Sequence, residues 1–316
     1  MRGARQALEE LEEEGSLELV LGCDFAGPCL PSQQRRKILA LVARRRADSA
    51  YEIGVDGFNA RVLKGRTPGW TAHELVEVLV KLRPSVAAFD FPFSIPSSLL
   101  ASLEFARLVG LERALETWLA LNEFVASMLT LQPRLDYSAF KGWRGRDFWL
   151  KRQTDVLAGA QPPLKDSYQV LFNMTLLGNA LLHELRSRAG YRVLPFDRPG
   201  KGPVAVEVYP GLAMRTLGCP SYKRDPKTAI KLMLEFCSHM GVRVEVAPAI
   251  VEFCETYDSG RGKTHDPDGS DALIALCLGI LHREGLTRAL VEDQADPVVA
   301  AREGVIWGLV ERGEHG

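Results

Sequence analysis

Near its amino terminus the chain reads Leu19-Val20-Leu21-Gly22-Cys23-Asp24, an apolar run that ends in a carboxylate. A short apolar run of this kind is typical of a β-strand that is covered on both faces. We therefore predict the first strand at residues 17–23. Burying a carboxylate costs free energy unless it gains a hydrogen-bond donor or a counter-charge. Asp24 at the end of this strand is therefore a candidate for a functional residue as well as a marker of the strand end.

The same arrangement recurs along the chain. Acidic residues end two further apolar runs and precede a fourth; they are Asp90, Glu207, and the pair Asp268 and Asp271. Several carboxylates that converge on one spot usually require a cation to neutralise them. Their joint recurrence predicts an acidic metal site. Taken singly, each acid is at least as well explained as the cap of a turn or a helix.

The segments that follow the first strand predict an α/β sheet. Two short strands are expected at residues 37–43 and 51–55, and their turn signals predict an antiparallel meander. A capping box at Thr71 and Glu74 opens a helix. A fourth strand is expected at residues 86–91, because this nearly continuous apolar run is stopped by prolines.

From residue 97 the pattern changes to long helical stretches, which we predict at residues 99–111, 112–131 and 169–188. Strand character resumes at residues 204–209 and at residues 242–246, and helices are expected near residues 226–240, 249–257 and 270–283. This order of elements is that of a ribonuclease-H-like fold of the α/β class. It predicts a mixed five-stranded sheet with flanking helices and a large helical insertion after the fourth strand.

The same pattern divides the chain into four parts. An acidic helical arm is predicted at residues 1–16, and a first part of the ribonuclease-H-like core at residues 17–96. The helical insertion covers residues 97–195. The second part of the core and the carboxyl-terminal segment cover residues 196–316.

Composition narrows the class of protein and its location. The chain is 46% hydrophobic and has 39 basic and 40 acidic residues, so there is no bulk attraction to nucleic acid or to a membrane surface. No apolar run is long enough to span a bilayer, and glutamates at residues 9–14 stand where a signal peptide would be apolar. We expect a cytoplasmic protein. The six cysteines lack metal-ligand spacing, which favours free thiols.

Six short motifs occur in order along the chain. They are Gly22-Cys23-Asp24-Phe25-Ala26-Gly27, Phe89-Asp90-Phe91-Pro92-Phe93-Ser94-Ile95-Pro96, Arg152-Gln153-Thr154-Asp155, Glu207-Val208-Tyr209-Pro210, Tyr222-Lys223 and Ser270-Asp271-Ala272-Leu273. With these motifs the chain resembles the family catalogued as domain of unknown function 429, which is regarded as a group of predicted ribonuclease-H-like nucleases. The resemblance implies the fold and an acidic metal site more firmly than it implies a substrate.

The last motif offers a choice of acids. Asp266, Asp268 and Asp271 lie within six residues, and which of them binds metal stays open. The spacing from Asp268 to Asp271 is also similar to the last motif of Holliday-junction resolvases, which share the fold. Asp271 is the better ligand candidate, because Asp268 or Ser270 already supplies the helix cap.

Adjacent acids of this kind predict a particular chemistry. In a sheet of this topology the first and fourth strands are neighbours, so Asp24 and Asp90 would face each other and repel. Mg²⁺ or Mn²⁺ resolves this conflict, since hard cations take carboxylate oxygens. We predict Asp24, Asp90, Glu207 and Asp271 as catalytic residues. Together with Asp268 they would bind two metal ions that hydrolyse a phosphodiester.

Residues 141–152 combine five basic residues, three aromatic residues and one acid. This composition suits phosphate contacts with base stacking, although a solvated loop or a helix start is an equally ordinary explanation. The predicted nucleic-acid contacts are Lys141, Arg144, Arg146, Arg152 and Lys223. Arg152 and Asp155 are also spaced for an ion pair on a helix surface.

These residues predict a magnesium-dependent nuclease or phosphodiesterase that acts on DNA or RNA. A member of the fold that binds nucleic acid without turnover is the alternative, and the sequence does not separate the two. An actin-like sugar kinase also ends its first strand with an aspartate. Such a kinase needs a hydroxyl-rich phosphate loop next, whereas this chain has Phe25-Ala26-Gly27-Pro28.

Overall fold

A computed structural model describes residues 18–63, 67–131, 134–143, 148–165, 170–198, 200–257, 268–291 and 297–310. Helices cover both faces of one mixed sheet, so the predicted α/β class is confirmed. Within the described ranges no helix has the length and apolar character needed to cross a membrane. The predicted acidic arm at residues 1–16 lies outside these ranges.

In the part of the chain that the structure describes, the sheet contains nine strands. In chain order they are β1 (Leu19–Asp24), β2 (Leu39–Arg45), β3 (Tyr51–Ile53), β4 (Val86–Asp90), β5 (Arg192–Val193), β6 (Val204–Val208), β7 (Val244–Val246), β8 (Thr287–Ala289) and β9 (Ile306–Leu309).

The described α-helices are α1 (Pro31–Lys37), α2 (Ala72–Leu82), α3 (Ser97–Leu100), α4 (Leu103–Leu108), α5 (Trp118–Met128), α6 (Gln153–Leu157), α7 (Val170–Ala189), α8 (Pro210–Thr216), α9 (Pro226–His239), α10 (Pro248–Thr256), α11 (Asp268–Arg283) and α12 (Pro297–Glu303). Short 3₁₀ turns include Asn59–Arg61, Ser138–Trp143 and Tyr222–Arg224.

The strands follow the order β7-β3-β2-β1-β4-β6-β9-β8, and β5 also pairs with β6. The predicted antiparallel meander of β1, β2 and β3 is confirmed, as is the placement of β4 beside β1. The predicted number of five strands is wrong. The predicted strand at residues 242–246 is confirmed as β7. The unpredicted strands β5, β8 and β9 have only two to four residues each, which is too short for a clear alternation of apolar and polar residues.

The predicted helical stretches at residues 99–111 and 112–131 are confirmed only in part, because the chain forms the shorter helices α3 and α4 in the first and α5 in the second. Ser102 accepts a hydrogen bond from the Phe105 amide and so begins α4, and Thr117 begins α5 in the same way. Gly110 follows α4 with a φ of 81°. Farther along, the predicted helix at residues 169–188 is confirmed as α7, and the capping box of Thr71 and Glu74 opens α2.

The central strands send alternate residues to opposite faces of the sheet. Leu21 and Phe89 join a cluster with the helices α2, α5 and α7, so helices of the predicted insertion share this core with the sheet. Val20 and Val206 point to the other face, where α9, α10 and α11 pack. All six cysteines are free thiols, and four of them are buried.

Helix α11 lies almost directly on β1. A Cβ atom added at Gly22 would be 2.0 Å from the backbone nitrogen of Leu276, far inside any normal contact distance. Farther along the helix, a Cβ at Gly279 would be 3.0 Å from the Cβ of Ala88. The absence of side chains at these two positions is therefore what allows α11 to approach the sheet so closely.

We expect Gly22→Ala to lower the free energy of unfolding by about 3 kcal/mol or more, because overpacking displaces backbone that cannot yield. The measurement is urea unfolding followed by circular dichroism. Gly200→Ala is the control, since its nearest neighbour would be the Arg192 Cδ at 3.9 Å, and its effect should stay within about 0.5 kcal/mol. Equal stability of Gly22→Ala and the wild type would contradict the close approach of α11.

Candidate metal centre

Strand pairing brings the first two acids together. β1 and β4 are parallel, and Asp24 is the register partner of Asp90 at their carboxyl ends. Asp24 is two residues beyond Gly22, so it lies on the face of the sheet that α11 covers. The predicted meeting of these two carboxyl ends is confirmed.

Helix α11 supplies the third acid. Asp271 is in its first turn and is buried. One carboxylate oxygen from each of Asp24, Asp90 and Asp271 lies within 4.8 Å of the others. Because α11 is held against β1 along its length, its first turn is brought to the ends of both strands. We call these three residues the acidic centre.

The acidic centre carries poorly compensated charge. Burial raises the pKa of Asp24 well above its ordinary value of 3.8, and the charges of Asp271, Asp268 and Asp90 raise it further. Burial also raises the pKa of Asp90, with Asp271 next in effect, while Lys223 opposes both shifts. Among the described residues, none donates a hydrogen bond to the carboxylate of Asp24 or Asp90.

Asp271, in contrast, is held by two neighbouring side chains. The Tyr222 hydroxyl donates to its Oδ1 at 2.7 Å, and the Lys223 ammonium is 2.9 Å from its Oδ2. Burial and the nearby carboxylate raise the pKa of Tyr222, so the hydroxyl keeps its proton and remains a donor. The sequence assigned Tyr222 no role, because nothing in the local pattern relates it to an acid 49 residues later.

The donor set fits a hard divalent cation. Three carboxylate oxygens within 4.8 Å match the ligands that Mg²⁺ and Mn²⁺ prefer. The nearby thiol of Cys23 belongs to the cluster on the opposite face, as its neighbour Leu21 does. The centre therefore presents oxygen ligands and no soft ones among the described residues.

Glu207 lies on the opposite face from the acidic centre. Its register partner is Phe89 rather than Asp90, and alternate residues face opposite ways. Its two oxygens accept hydrogen bonds from Arg152 at 2.7 and 2.5 Å, and the Phe93 amide donates to it at 2.9 Å. Its position at a strand end predicts a metal ligand, but the structure pairs it with an arginine instead.

The prediction that Arg152 contacts nucleic acid is wrong, since its side chain is completely buried. The guanidinium donates to both carboxylate oxygens of Asp155 and of Glu207, and to the carbonyl oxygen of Glu303. Burial alone would lower the pKa of Arg152, but the two carboxylates raise it. The expected surface ion pair with Asp155 is therefore a buried one.

The remaining predicted site residues are spread more widely. Asp268 is the half-buried first residue of α11 and lies outside the acidic centre. Lys223 contacts the centre through Asp271. Lys141 is exposed in the turn Ser138–Trp143. Arg144, Arg146 and Asp266 lie outside the described residues.

Comparisons with protein-family models, with curated proteins and with solved structures found no match. The resemblance to domain of unknown function 429 stays a prediction. The functional argument for this chain therefore depends on the geometry and charge of the acidic centre.

We expect Asp90→Asn to raise the stability of the metal-free protein by on the order of 1 kcal/mol, because it removes a charge that the fold disfavours. The raised pKa of Asp90 means that the folded state loses stability as the pH rises above the ordinary value of 3.8. The gain from asparagine should thus be larger at about pH 8 than at about pH 5.

Urea unfolding in a chelating buffer measures this effect. Asp48→Asn is the matched control, since Asp48 is an exposed acid paired with Arg46, and its change should stay within about 0.5 kcal/mol. A clear loss of stability in Asp90→Asn would mean that its carboxylate is compensated in the fold.

We expect Arg152→Met to lower the free energy of unfolding by about 3–5 kcal/mol, because Asp155 and Glu207 would remain as buried carboxylates without their cation. Thermal and urea unfolding measure the loss. Arg188→Met removes a partly exposed arginine that pairs with Glu77 and should cost at most about 1 kcal/mol. Similar small losses in both variants would contradict a structural role for Arg152.

Proposed function

We propose that this chain is a magnesium-dependent nuclease with a ribonuclease-H-like core, and that it hydrolyses phosphodiester bonds at the acidic centre. The observation that carries the proposal is the convergence of Asp24, Asp90 and Asp271 within 4.8 Å, with two of the three carboxylates lacking donors among the described residues. Carboxylates brought together at such a cost are typical of functional sites.

The sheet topology supports the fold in this proposal. The first three strands form an antiparallel meander, and β4 lies parallel to β1 at its other edge. β6 then lies parallel to β4. The predicted element order for a ribonuclease-H-like core is consistent with this arrangement, with α3 to α7 between the fourth strand and β6 in the sequence.

The side chains have distinct roles in the proposed reaction. Asp24, Asp90 and Asp271 would hold the divalent ion, and Tyr222 would keep Asp271 oriented through its hydrogen bond. A bound Mg²⁺ supplies an activated water and neutralises the charge that develops on phosphate oxygens. The closed packing of α11 on β1 keeps the carboxylates in a fixed arrangement.

Local basic groups support a polyanionic substrate, although the whole chain is nearly neutral. The last turn of α1 carries Arg36 and Lys37, together with Arg35, which is already paired with Glu74. This turn directly precedes β2, whose first residue Leu39 pairs with Asp24, so it lies at the same edge of the sheet as the acidic centre. Positive charge beside a metal centre is suited to phosphates that flank a cleaved bond.

The kinase alternative is disfavoured by packing after β1. A Cβ at Gly27 would be 2.3 Å from the backbone of Asn173 in α7. The segment that would bind phosphate in a kinase therefore packs directly against a helix at Gly27. A protein that binds nucleic acid without cleaving it would have the same remaining features. The experiment therefore has to distinguish binding from cleavage.

The test is cleavage of single- and double-stranded DNA and RNA with Mg²⁺ and with chelator. Asp24→Asn should lower the rate at least about a hundredfold, since loss of the groups that merely hydrogen-bond to metal ligands costs up to that much. Asp48→Asn, prepared identically, should cleave like the wild type. Equal cleavage by Asp24→Asn would eliminate the assignment. Retention of nucleic acid in chelator without cleavage in Mg²⁺ would favour the binding alternative.

A further inference from the structure

A cation of the protein itself already contacts the acidic centre. The Lys223 ammonium is 2.9 Å from Oδ2 of Asp271, and about a third of its side chain, 37%, is exposed to solvent. Lys223 also lies near enough to Asp24 and Asp90 to oppose the rise in their pKa. Its position is set by the turn Tyr222–Arg224, whose first residue holds the other oxygen of Asp271.

The net charge of the acidic centre and Lys223 together indicates how many divalent ions can bind there. Three carboxylates and one ammonium leave two net negative charges. One divalent ion neutralises them. In two-metal sites the ions are about 3.5–4 Å apart and share carboxylate ligands, so a second ion would compete for Asp271 with the ammonium of Lys223.

Neither of the other predicted metal ligands among the described residues belongs to the acidic centre. Asp268 lies outside the group whose oxygens meet within 4.8 Å. Glu207 is on the opposite face of the sheet, with both oxygens bonded to Arg152. Glu207 is therefore already neutralised, and Asp268 acts on Asp24 through its charge without joining the three ligands.

We propose that the acidic centre binds a single divalent ion and that Lys223 serves as the second positive charge, which contacts the scissile phosphate. This inference rests on the proposed nuclease function and replaces its predicted second metal ion. An ammonium has three donors, so it can bind Asp271 and a phosphate oxygen together. Its partial exposure gives a substrate access to it.

The reaction balances without a second ion. The oxygen of a water molecule forms a bond to phosphorus, and the bond from phosphorus to the leaving oxygen breaks. The water gives up a proton to solvent, and the leaving oxygen takes one from solvent. Charge that grows on the phosphoryl oxygens in the transition state lies beside the Lys223 ammonium, which stabilises it.

This role makes opposite predictions for metal binding and for catalysis. Removing the ammonium removes a positive charge beside the metal ligands, so the ion should bind more tightly. The same change removes a charge that stabilises the transition state, so cleavage should slow. A lysine that merely supports the structure of the site would weaken both metal binding and cleavage when removed.

The experiment is calorimetric titration of Mn²⁺ into the wild type, Lys223→Met and Lys231→Met, with cleavage measured on the same preparations. The wild type should bind one ion. Lys223→Met should bind its ion about tenfold more tightly and cleave at least about a hundredfold more slowly. Lys231, on α9, is 73% exposed, and its variant should behave like the wild type in both measurements.

Thermal unfolding in chelator gives a readout that is independent of activity. Lys223→Met should melt at a lower temperature than the wild type, because the three carboxylates lose their counter-charge. Lys223→Gln, which keeps a polar side chain, should show the same pattern if the methionine variant fails to fold.

Each result decides between the two proposals. Two Mn²⁺ ions bound per wild-type chain would overturn the role of Lys223 and leave the nuclease standing. Weaker ion binding by Lys223→Met and Lys223→Gln would also overturn that role. One ion, bound more tightly by these variants but without cleavage of any nucleic acid, would support the counter-charge and overturn the nuclease. A wild type that binds no ion would overturn both.

Discussion

The contact between α11 and β1 at Gly22 determines how the rest of the molecule is arranged. With no side chain at that position, the helix backbone comes against the strand, and residues from Gly269 to Leu281 are all buried. The first turn of α11 therefore ends beside the carboxyl ends of β1 and β4. Asp271 reaches Asp24 and Asp90 because of this packing, and a thicker helix–strand interface would separate them by more than a shared cation could bridge.

The acids on the two faces of the sheet differ in whether their charge is compensated. On one face Glu207 and Asp155 surround the buried Arg152, whose N–H groups all find acceptors. This group joins α6, β6 and the end of α12. Removing Arg152 would leave the carboxylates of Asp155 and Glu207 buried without a counter-charge. On the other face Asp24 and Asp90 have no donor among the described residues. Removing the cation of a compensated group costs stability, whereas an uncompensated group itself costs stability, which is typical of functional sites.

Segments with a clear periodicity were predictable from sequence. The strands β1, β2, β3, β4 and β6 and the helices α2, α7 and α11 lie within or close to the expected ranges, because each has enough apolar residues to show its period. The helices α4 and α5 are shorter than the predicted stretches at residues 99–111 and 112–131, because Ser102 and Thr117 cap them inside apolar sequence. The strands β5, β8 and β9 are too short to carry a recognisable pattern.

The sequence by itself determined that acids stand at the ends of strands, because an apolar run and the acid that follows it are neighbours in the chain. It also determined the α/β class and the pairing of the first and fourth strands. Only the tertiary structure decided which acids meet. A strand alternates with a period of two, so a difference of one residue in register sends Glu207 to the opposite face from Asp90. Tyr222 and Lys223 reach Asp271 through packing between distant segments, which no local pattern records.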